Sequence, residues 1–425
     1  MSIITYTIVY ISASFLFMWL CVFILKYDMP ARLVFGLLAA AIIIRIPLVP
    51  IHPVGSDDYY RYVWDGKVMS AGINPYRYTP VDPALAQLHS NIIPSRINFA
   101  DMKTLYPPLA EILFYLAYKI SGEGFLGMKA LLFIFDLMTM FGIFLIIRKL
   151  NLNCKNILLY AICPLPLFQF FIDGHVDGFG ITLVIFSIFF YLDDKKVLSY
   201  VLIGLSASIK PLSLILIPIL FFQERTFRER IRVAFLPTMV CGLMYLPFMF
   251  SGSPFQALTT FAANWTFNGV VFDVLNLFIH DNQRARFICG ILFFISYLPV
   301  ILSRSKVPPN SVENSAGTGL LTKIYMSMFL LFIFSPVVHP WYMSWLVILL
   351  PLIPRWSGIA YVSLISLTSF TVLNYQLTGV WKEYTFVLLF EYIPVLILFG
   401  YELVKQIGQP DSNLRNLPPR TGSTT

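Results

Sequence analysis

The residues best suited to chemistry lie at positions 52–80, a polar and aromatic stretch between two long apolar runs. Ser56 is placed to cap a short helix, and Gly72 is placed to end it. Asp57 and Asp58 would fill the first turn of that helix. The stretch therefore presents two adjacent carboxylates at the start of a helix.

Three charged residues of this predicted helix share one face, because Asp58, Arg61 and Asp65 are spaced by three and four residues. Two carboxylates and a guanidinium would converge there beside Trp64. Groups of these types serve proton transfer and the binding of charged ligands. The alternative is a solvated capping turn with a salt bridge along the helix.

A second cluster of ionisable groups lies in the sequence DGHVDG at residues 173–178. It carries Asp173, His175 and Asp177, which are more ionisable groups than a turn requires. The alternative is a glycine-rich turn that only caps two helices.

Lys210, followed by Pro211, interrupts an apolar run and is predicted at the tip of a hairpin that dips toward the outer half of the membrane. A lysine in hydrocarbon costs about 2.5 to 3.5 kcal/mol at mid-span, so it normally faces a partner or a cavity. We expect a phosphate group as that partner. An interfacial lysine that reaches the headgroups is the alternative.

The sequence SPVVHPWY at residues 335–342 ends another apolar run and offers His339, Trp341 and Tyr342. An aromatic belt at the membrane surface explains the tryptophan and the tyrosine, but not the histidine. Arg45, near the outer end of the second apolar run, is placed either to reach the membrane surface or to contact a phosphate.

The elements that must position these residues are membrane helices. With 58% hydrophobic residues, 12% charged residues and a mean hydropathy of +0.75, the chain cannot be a soluble globular protein of ordinary composition. Apolar runs of about 15 to 22 residues fit repeated helical spans. The net charge of +8 lies in loops beside these runs, which argues against nucleic-acid binding. The five cysteines show neither a disulfide framework nor a metal-binding spacing.

The charge pattern also predicts the orientation of the chain. Lys26 and Arg32 place the loop after the first span in the cytoplasm, so the second span delivers residues 51–125 to the outer face. Within this outer loop, residues 107–121 have the apolar spacing of an interfacial helix, with Glu111 on its polar face.

We predict about thirteen spans in one transmembrane domain over residues 1–403. Residues 303–320 are predicted to form a flexible cytoplasmic linker, and residues 404–425 a disordered cytoplasmic tail. Inside the spans, Asp136 and Glu391 are each expected to make a hydrogen bond between helices. The predicted fold class is an all-α polytopic membrane protein with short helices in its outer loop.

The order of these motifs resembles that of a known family. SDDYYRYVWDGKV and GINPY follow the second span, YPPL begins at Tyr106, and DGHVDG, Lys210-Pro211 and HPWY come later along the chain. Over about residues 33–350 the pattern is similar to the membrane glycosyltransferases of the GT-C class that use polyprenyl-phosphate sugars, in particular to bacterial mannosyltransferase-like proteins. This sequence departs from the family in having an additional span before the outer loop, and paired aspartates where the family has a single catalytic carboxylate.

The resemblance implies a GT-C-like fold in a bacterial inner membrane, with the active site on the periplasmic side. It implies transfer of a hexose, most commonly mannose, from a polyprenyl-phosphate sugar donor. The acceptor would be a glycan, a glycolipid or a protein, and the reaction would invert the configuration at C1.

The resemblance also implies roles for the residues above. Asp58 would be the general base, unless the adjacent Asp57 is. A group of cations would neutralise the departing lipid phosphate: Lys210, with Arg45, Arg61 or His339. The other expected substrate contacts are His175, Asp177, Asp65, Tyr106, Trp341 and Tyr342. A metal is not required, although Asp57, Asp58 and His175 could bind a divalent ion.

Two other functions fit the composition. A transporter or a flippase for lipid-linked sugars would also have many spans and intramembrane charges. Such proteins usually show paired repeats and sites near the midplane, whereas here no halves match and the polar residues gather at one face. A polymerase or ligase of lipid-diphosphate glycans would also place cations and an acid outside, so only the donor distinguishes it.

Overall fold

The computed structural model describes residues 1–250, 252–303 and 312–407, and within these ranges the chain forms helices and loops but no β-strand. The α-helices are α1 Ile3–Lys26, α2 Ala31–Arg45, α3 Asp58–Ser70, α4 Pro108–Ser121, α5 Leu126–Lys149, α6 Leu158–Ala161, α7 Pro164–Pro166, α8 Asp177–Leu192, α9 Lys196–Ala207, α10 Leu216–Gln223, α11 Phe227–Met249, α12 Gln256–Asn264, α13 Val270–Ile279, α14 Asn282–Leu302, α15 Val312–Phe334, α16 Ser344–Val347, α17 Trp356–Leu364, α18 Ser369–Thr378 and α19 Thr385–Ile407. A π-helical turn covers Leu167–Ile172, and 3-10 helices cover Ile46–Leu48, Pro83–Leu88, Cys154–Ile157, Pro211–Ile215, Pro340–Met343 and Ile365–Thr368. The predicted all-α fold is confirmed.

Eight helical stretches in the described part are long and apolar enough to cross a membrane, which identifies a multi-pass integral membrane protein. They are α1, α2 with its extension to Leu48, α5, α11, α14, the Gly317–Phe334 part of α15, the joined α17 and α18, and α19 as far as Lys405. Cys154–Ala161 and Pro164–Ile172, bent by 40° at their junction, make a ninth if they cross together.

The prediction of about thirteen spans is therefore too high. Three predicted spans are the shorter helices α8, α9 and Pro211–Gln223. The 12 residues of α9 reach only about 18 Å, against a hydrocarbon core of about 30 Å. Most of α8 is buried between α5 and α9, so its apolar composition reflects burial in protein instead of in lipid. The apolar run at residues 342–354, which is counted among the predicted spans, likewise contains only short helical turns.

A buried ion pair joins α2 to α5. Arg45 Nε donates to Asp136 Oδ2 at 2.7 Å, and Tyr160 Oη donates to Asp136 Oδ1 at 2.7 Å. Arg45 Nη1 also donates to the carbonyl oxygens of Ala41 and Ala161. Asp136 thus makes the predicted contact between helices.

The outer loop, residues 51–125, packs α3 side by side with α4. Gly66 permits the contact, because a Cβ at this position would overlap the carbonyl oxygen of Phe114. At the far end of α3, Gly72 adopts a φ of +74°, a left-handed conformation that glycine tolerates at a helix end. The predicted helix is therefore present, but it begins at Asp58, so Asp57 and not Ser56 occupies the N-cap position.

Helix α4 confirms the helix predicted at residues 107–121, but Glu111 does not face water. This residue is fully buried and accepts a hydrogen bond from Thr104 Oγ1 at 2.7 Å. Leu116 and Ile120 are 42% and 58% exposed. Glu111 is covered because α4 packs against both α3 and α5.

Toward the C-terminus, the structure is more helical than the sequence predicted. Helix α15 begins at Val312, inside the predicted linker 303–320, and residues 304–311 lie outside the described residues. Residues 404–407 of the predicted tail belong to α19, and residues 408–425 lie outside the described residues. Glu391 of α19 accepts hydrogen bonds from Asn268 Nδ2 at 3.1 Å, so its partner lies in the loop after α12.

Candidate active site

Five segments meet at one place: the start of α3, the loop before α4, the loop before α8, the break after α9, and residues 335–345. The meeting brings together most of the predicted site residues, namely Asp58, Tyr106, His175, Asp177, Lys210, His339, Trp341 and Tyr342. Each segment supplies side chains from a helix end or a helix break, where the backbone is free to turn toward the site.

Lys210 lies in the break between α9 and the following 3-10 helix. Pro211 cannot continue the hydrogen bonding of α9, and Lys210 takes an extended conformation with φ −153° and ψ 129°. Its Nζ donates to Asp177 Oδ1 at 2.7 Å and lies 3.6 Å from the centre of the Tyr342 ring. Trp345 Nε1 donates to the same Asp177 oxygen at 2.7 Å. The resting partner of this lysine is thus a buried carboxylate held by a second donor.

Four aromatic rings form a column beside this ion pair. His175 stacks on Trp341 with ring centres 3.8 Å apart, Trp341 on His339 at 4.3 Å, and His339 on Phe267 at 4.6 Å. Phe267 is held by backbone hydrogen bonds on both sides, from its own amide to Pro336 at 3.0 Å and from the amide of Val338 at 2.7 Å. Both faces of Trp341 are therefore covered by protein.

Asp58 is the accessible carboxylate of this cluster, with 32% of its side-chain surface exposed. Its Oδ2 lies 3.8 Å from Nδ1 of His175, which in turn lies 3.4 Å from the hydroxyl of Tyr62. Because protein surrounds the carboxyl, desolvation raises the pKa of Asp58 to about 6, although Lys210 and the Tyr106 hydroxyl oppose the rise.

The two histidines of the column are uncharged. Burial lowers the pKa of His175 well below its ordinary value, and the charge of Lys210 lowers it further. Burial and Lys210 also lower the pKa of His339, to about 3. Lys210, and neither histidine, therefore supplies the positive charge of the cluster.

Asp57 has different neighbours from Asp58. Burial raises its pKa, and the groups that oppose the rise are Asn98 and Arg96 of the outer loop. Across the described residues, no group of three or more His, Cys, Asp or Glu side chains could hold a metal ion. Asp57, Asp58 and His175 thus do not assemble into the metal site considered from the sequence.

Arg61 and Asp65 are engaged with each other. Arg61 Nε lies 3.0 Å and 2.9 Å from the two carboxylate oxygens of Asp65, and Arg61 Nη1 donates to the carbonyl oxygen of Met102 at 2.9 Å. The spacing that places the two side chains on one helix face also lets them pair with each other. Neither contacts the Lys210 ion pair through a hydrogen bond in the described structure.

Arg45 was expected at the membrane surface or at a phosphate, and the structure corrects this. Its side chain is fully buried, and its hydrogen bonds go to Asp136 and to two backbone carbonyls. Because Asp136 would otherwise be a lone carboxylate among packed helices, the arginine serves as its counter-ion.

Sequence reasoning missed Tyr62, Phe267 and Trp345. Tyr62 lies one turn after Asp58 on the same helix, and Trp345 lies four residues after Trp341, so helical spacing could have indicated both. Phe267 gave no such signal, because it reaches the site through a backbone contact with Val337 that is distant in sequence.

The comparison with known families adds an independent observation. Residues 1–223 match the model of the alpha-(1->6)-mannopyranosyltransferase N-terminal domain, and residues 313–403 match that of the MptB C-terminal domain. The chain belongs to this mannopyranosyltransferase family. No curated protein and no solved structure matches the chain.

The two matched regions contain the cluster. Asp58, His175 and Lys210 lie in the N-terminal mannopyranosyltransferase match, and His339 and Trp341 lie in the C-terminal one. Membership confirms the predicted class: the protein is a membrane glycosyltransferase of mannosyltransferase type, with a sugar donor, an acceptor and a surrounding bilayer as its partners.

Proposed function

We propose that this protein transfers mannose from a polyprenyl-phosphate mannose to an acceptor hydroxyl at the outer face of a bacterial inner membrane. The family description names an alpha-(1->6)-mannopyranosyltransferase, so the proposed acceptor atom is the oxygen on C6 of an acceptor sugar. An α product formed with inversion requires a β-linked donor. The proposal rests above all on the position of Asp58, an accessible carboxylate near a partly buried lysine that pairs with Asp177.

Asp58 acts as the general base in this proposal. The acceptor oxygen attacks C1 of the donor sugar, the bond from C1 to the phosphate oxygen breaks, and the hydroxyl proton passes to Asp58. A base works best when its pKa lies near the working pH, and the raised pKa of about 6 brings Asp58 closer to neutrality than an ordinary aspartate.

Lys210 stabilises the departing phosphate. A donor phosphate joined to both lipid and sugar carries one negative charge, and it gains a second as the bond to the sugar breaks. Asp58 loses its charge in the same step by taking the proton. The total negative charge near Lys210 therefore stays constant, and one lysine fixed by Asp177 can serve both the bound donor and the product.

The aromatic column positions His175. Since both faces of Trp341 are covered, this residue does not offer a face for stacking on a sugar. Its contact with His175 fixes a neutral imidazole beside Asp58, where the ring can exchange hydrogen bonds with sugar hydroxyls.

The distribution of basic residues supports the proposed location of the site at the outer face. Lys26 and Arg32 flank the short connection between α1 and α2, which favours a cytoplasmic loop there. Since α2 then carries the chain across the membrane, α3 and the cluster lie on the opposite side.

A donor panel tests this function. Purified protein in lipid vesicles is given radiolabelled β-linked polyprenyl-phosphate mannose, its α-linked isomer or GDP-mannose, with a crude membrane glycolipid extract as acceptor. We expect label to enter a glycolipid from the β-linked lipid donor alone, in a product sensitive to α-mannosidase. Transfer from GDP-mannose would contradict the proposed polyprenyl-phosphate donor. Lipid-linked mannose that crosses the bilayer unchanged would indicate a flippase.

A further inference from the structure

Asp173 joins the loop before α8 to two other parts of the chain. The side chain is buried at 1% exposure. Its Oδ2 accepts a hydrogen bond from the hydroxyl of Tyr6 at 2.6 Å, and its Oδ1 accepts from the amides of Val54 and Gly55 at 3.1 Å and 2.7 Å. One carboxylate thus joins α1, the loop before α8 and the segment that leads into α3.

The segment from Ile51 to Gly55 is fixed by two further contacts. Lys129 Nζ of α5 donates to the carbonyl oxygen of Ile51, and Gln376 Nε2 of α18 donates to that of Val54 at 2.6 Å. The backbone three residues before Asp58 is therefore held from three sides, with Asp173 supplying the contacts nearest to Asp58.

The fit around this carboxylate is tight. A Cβ at Gly55 would lie 2.5 Å from the hydroxyl oxygen of Tyr6 and 2.6 Å from Asp173 Oδ2. These distances are too short for unbonded atoms, so a side chain at Gly55 would push the carboxylate away from the segment. The close approach of this segment to Asp173 thus depends on glycine at position 55.

We propose that Asp173 is a positioning residue for the reaction, which fixes the segment before α3 so that Asp58 faces His175 and Lys210. The inference rests on the function proposed above. Asp173 is two residues before His175 and four before Asp177. The same short loop therefore carries the histidine that faces Asp58 and the carboxylate that binds Lys210. Misplacement of a reacting group by about 1 Å can lower a rate by about 100-fold.

The test uses the purified full-length protein and the β-linked polyprenyl-phosphate mannose assay. Asp173→Asn keeps the size of the side chain but removes one acceptor oxygen, and Gly55→Ala disturbs the same contact from the other side. We expect each variant to lower kcat about 10-fold or more with less change in the KM for the donor. Asp193→Asn is the matched control, because Asp193 pairs with Lys149 and Lys195 away from the cluster; it should keep wild-type kcat.

The pH profile separates positioning from a loss of folded protein. Burial raises the pKa of Asp173 to about 6, as it does for Asp58. The titratable groups that face these two carboxyls are Tyr6, Tyr10, Lys129, Asp57, Tyr62, Tyr106, His175, Asp177, Lys210 and Tyr342. In Asp173→Asn, the fall of kcat at low pH should become less steep, because only Asp58 and not Asp173 still takes up a proton there. The midpoint of this fall should also move to lower pH, because a displaced Asp58 is better solvated and its pKa is less raised.

The outcomes distinguish this inference from the proposed function. The positioning role would be overturned if the pH profile of kcat in Asp173→Asn kept the wild-type shape and midpoint at low pH while kcat fell only in proportion to the folded fraction. Wild-type kcat in this variant would overturn it as well. Failure of the proposed function would instead appear as absent transfer by the wild-type protein.

Discussion

At the scale of single residues, the site separates two carboxylates that sequence alone left equivalent. Asp58 faces His175 and Lys210, whereas Asp57 faces Arg96 and Asn98. The two side chains are adjacent on a helix start, so they point in directions about 100° apart. The local motif could predict a carboxylate here, but only the partners from later segments show which one faces the lysine.

The raised pKa of Asp58 predicts the pH dependence of transfer. The proposed base must be ionised, and its pKa of about 6 lies above the ordinary value of about 4. The fraction of active enzyme therefore falls as the pH decreases through about 6. A profile of kcat between pH 4.5 and 8 should show this loss, and a midpoint near pH 4 would contradict the described environment of Asp58.

Loss of the Lys210 charge should act mainly on the donor. Lys210→Ala removes the cation and leaves Asp177 buried without its counter-ion, so we expect the donor KM to rise and kcat to fall about 100-fold. Lys119→Ala, at an exposed position on α4, is the control and should behave as the wild type. An unchanged donor KM and kcat in Lys210→Ala would remove the lysine from the reaction.

At the scale of elements, the site is built from the ends of helices and the breaks between them more than from helix interiors. The sequence signals for Lys210-Pro211 and for DGHVDG predicted interruptions of apolar runs, and the structure brings both interruptions into the site. Phe267 could not be predicted in this way, because it completes the aromatic column through pairing with residues 336–338. A local sequence pattern predicts where a helix is interrupted, but not which of the interruptions contact each other in the fold.

The contact between α3 and α4 yields a test at this scale. In Gly66→Ala, the new methyl group overlaps the carbonyl oxygen of Phe114, so we expect a loss of roughly 1 to 3 kcal/mol in stability. Gly36→Ala on α2 is the matched control, since its methyl group meets nothing within 4 Å, and it should be neutral or stabilising. Thermal unfolding in detergent measures both, and equal melting temperatures would show that the two helices are not in close contact.

At the scale of the whole molecule, the sequence predicted the class of fold and overestimated its number of spans. Composition suffices for the first, because a chain with 58% hydrophobic residues has no soluble alternative of ordinary type. It fails for α8, most of whose apolar residues are covered by neighbouring helices, and for α9, which at 12 residues is too short to cross the hydrocarbon core. An apolar sequence indicates that a helix is shielded from water, and either the lipid or neighbouring helices can shield it.

The ion pair of Arg45 with Asp136 supports the assembly of helices in this fold. Arg45→Met leaves Asp136 buried without its counter-ion, and removal of one partner from a buried pair costs about 3 to 5 kcal/mol. The double variant Arg45→Met/Asp136→Leu should recover most of this stability and keep the donor KM. A stable double variant with a strongly raised donor KM would instead show that Arg45 contacts the substrate.

The most direct test of the central claim compares two variants of the outer loop. Asp58→Asn and Asp57→Asn are matched in size and charge and lie next to each other on the same helix start. Transfer from β-linked polyprenyl-phosphate mannose is measured at pH 7.5 beside binding of the same donor. The proposed mechanism predicts that Asp58→Asn binds the donor but transfers no mannose, while Asp57→Asn remains active. Wild-type transfer by Asp58→Asn would contradict it.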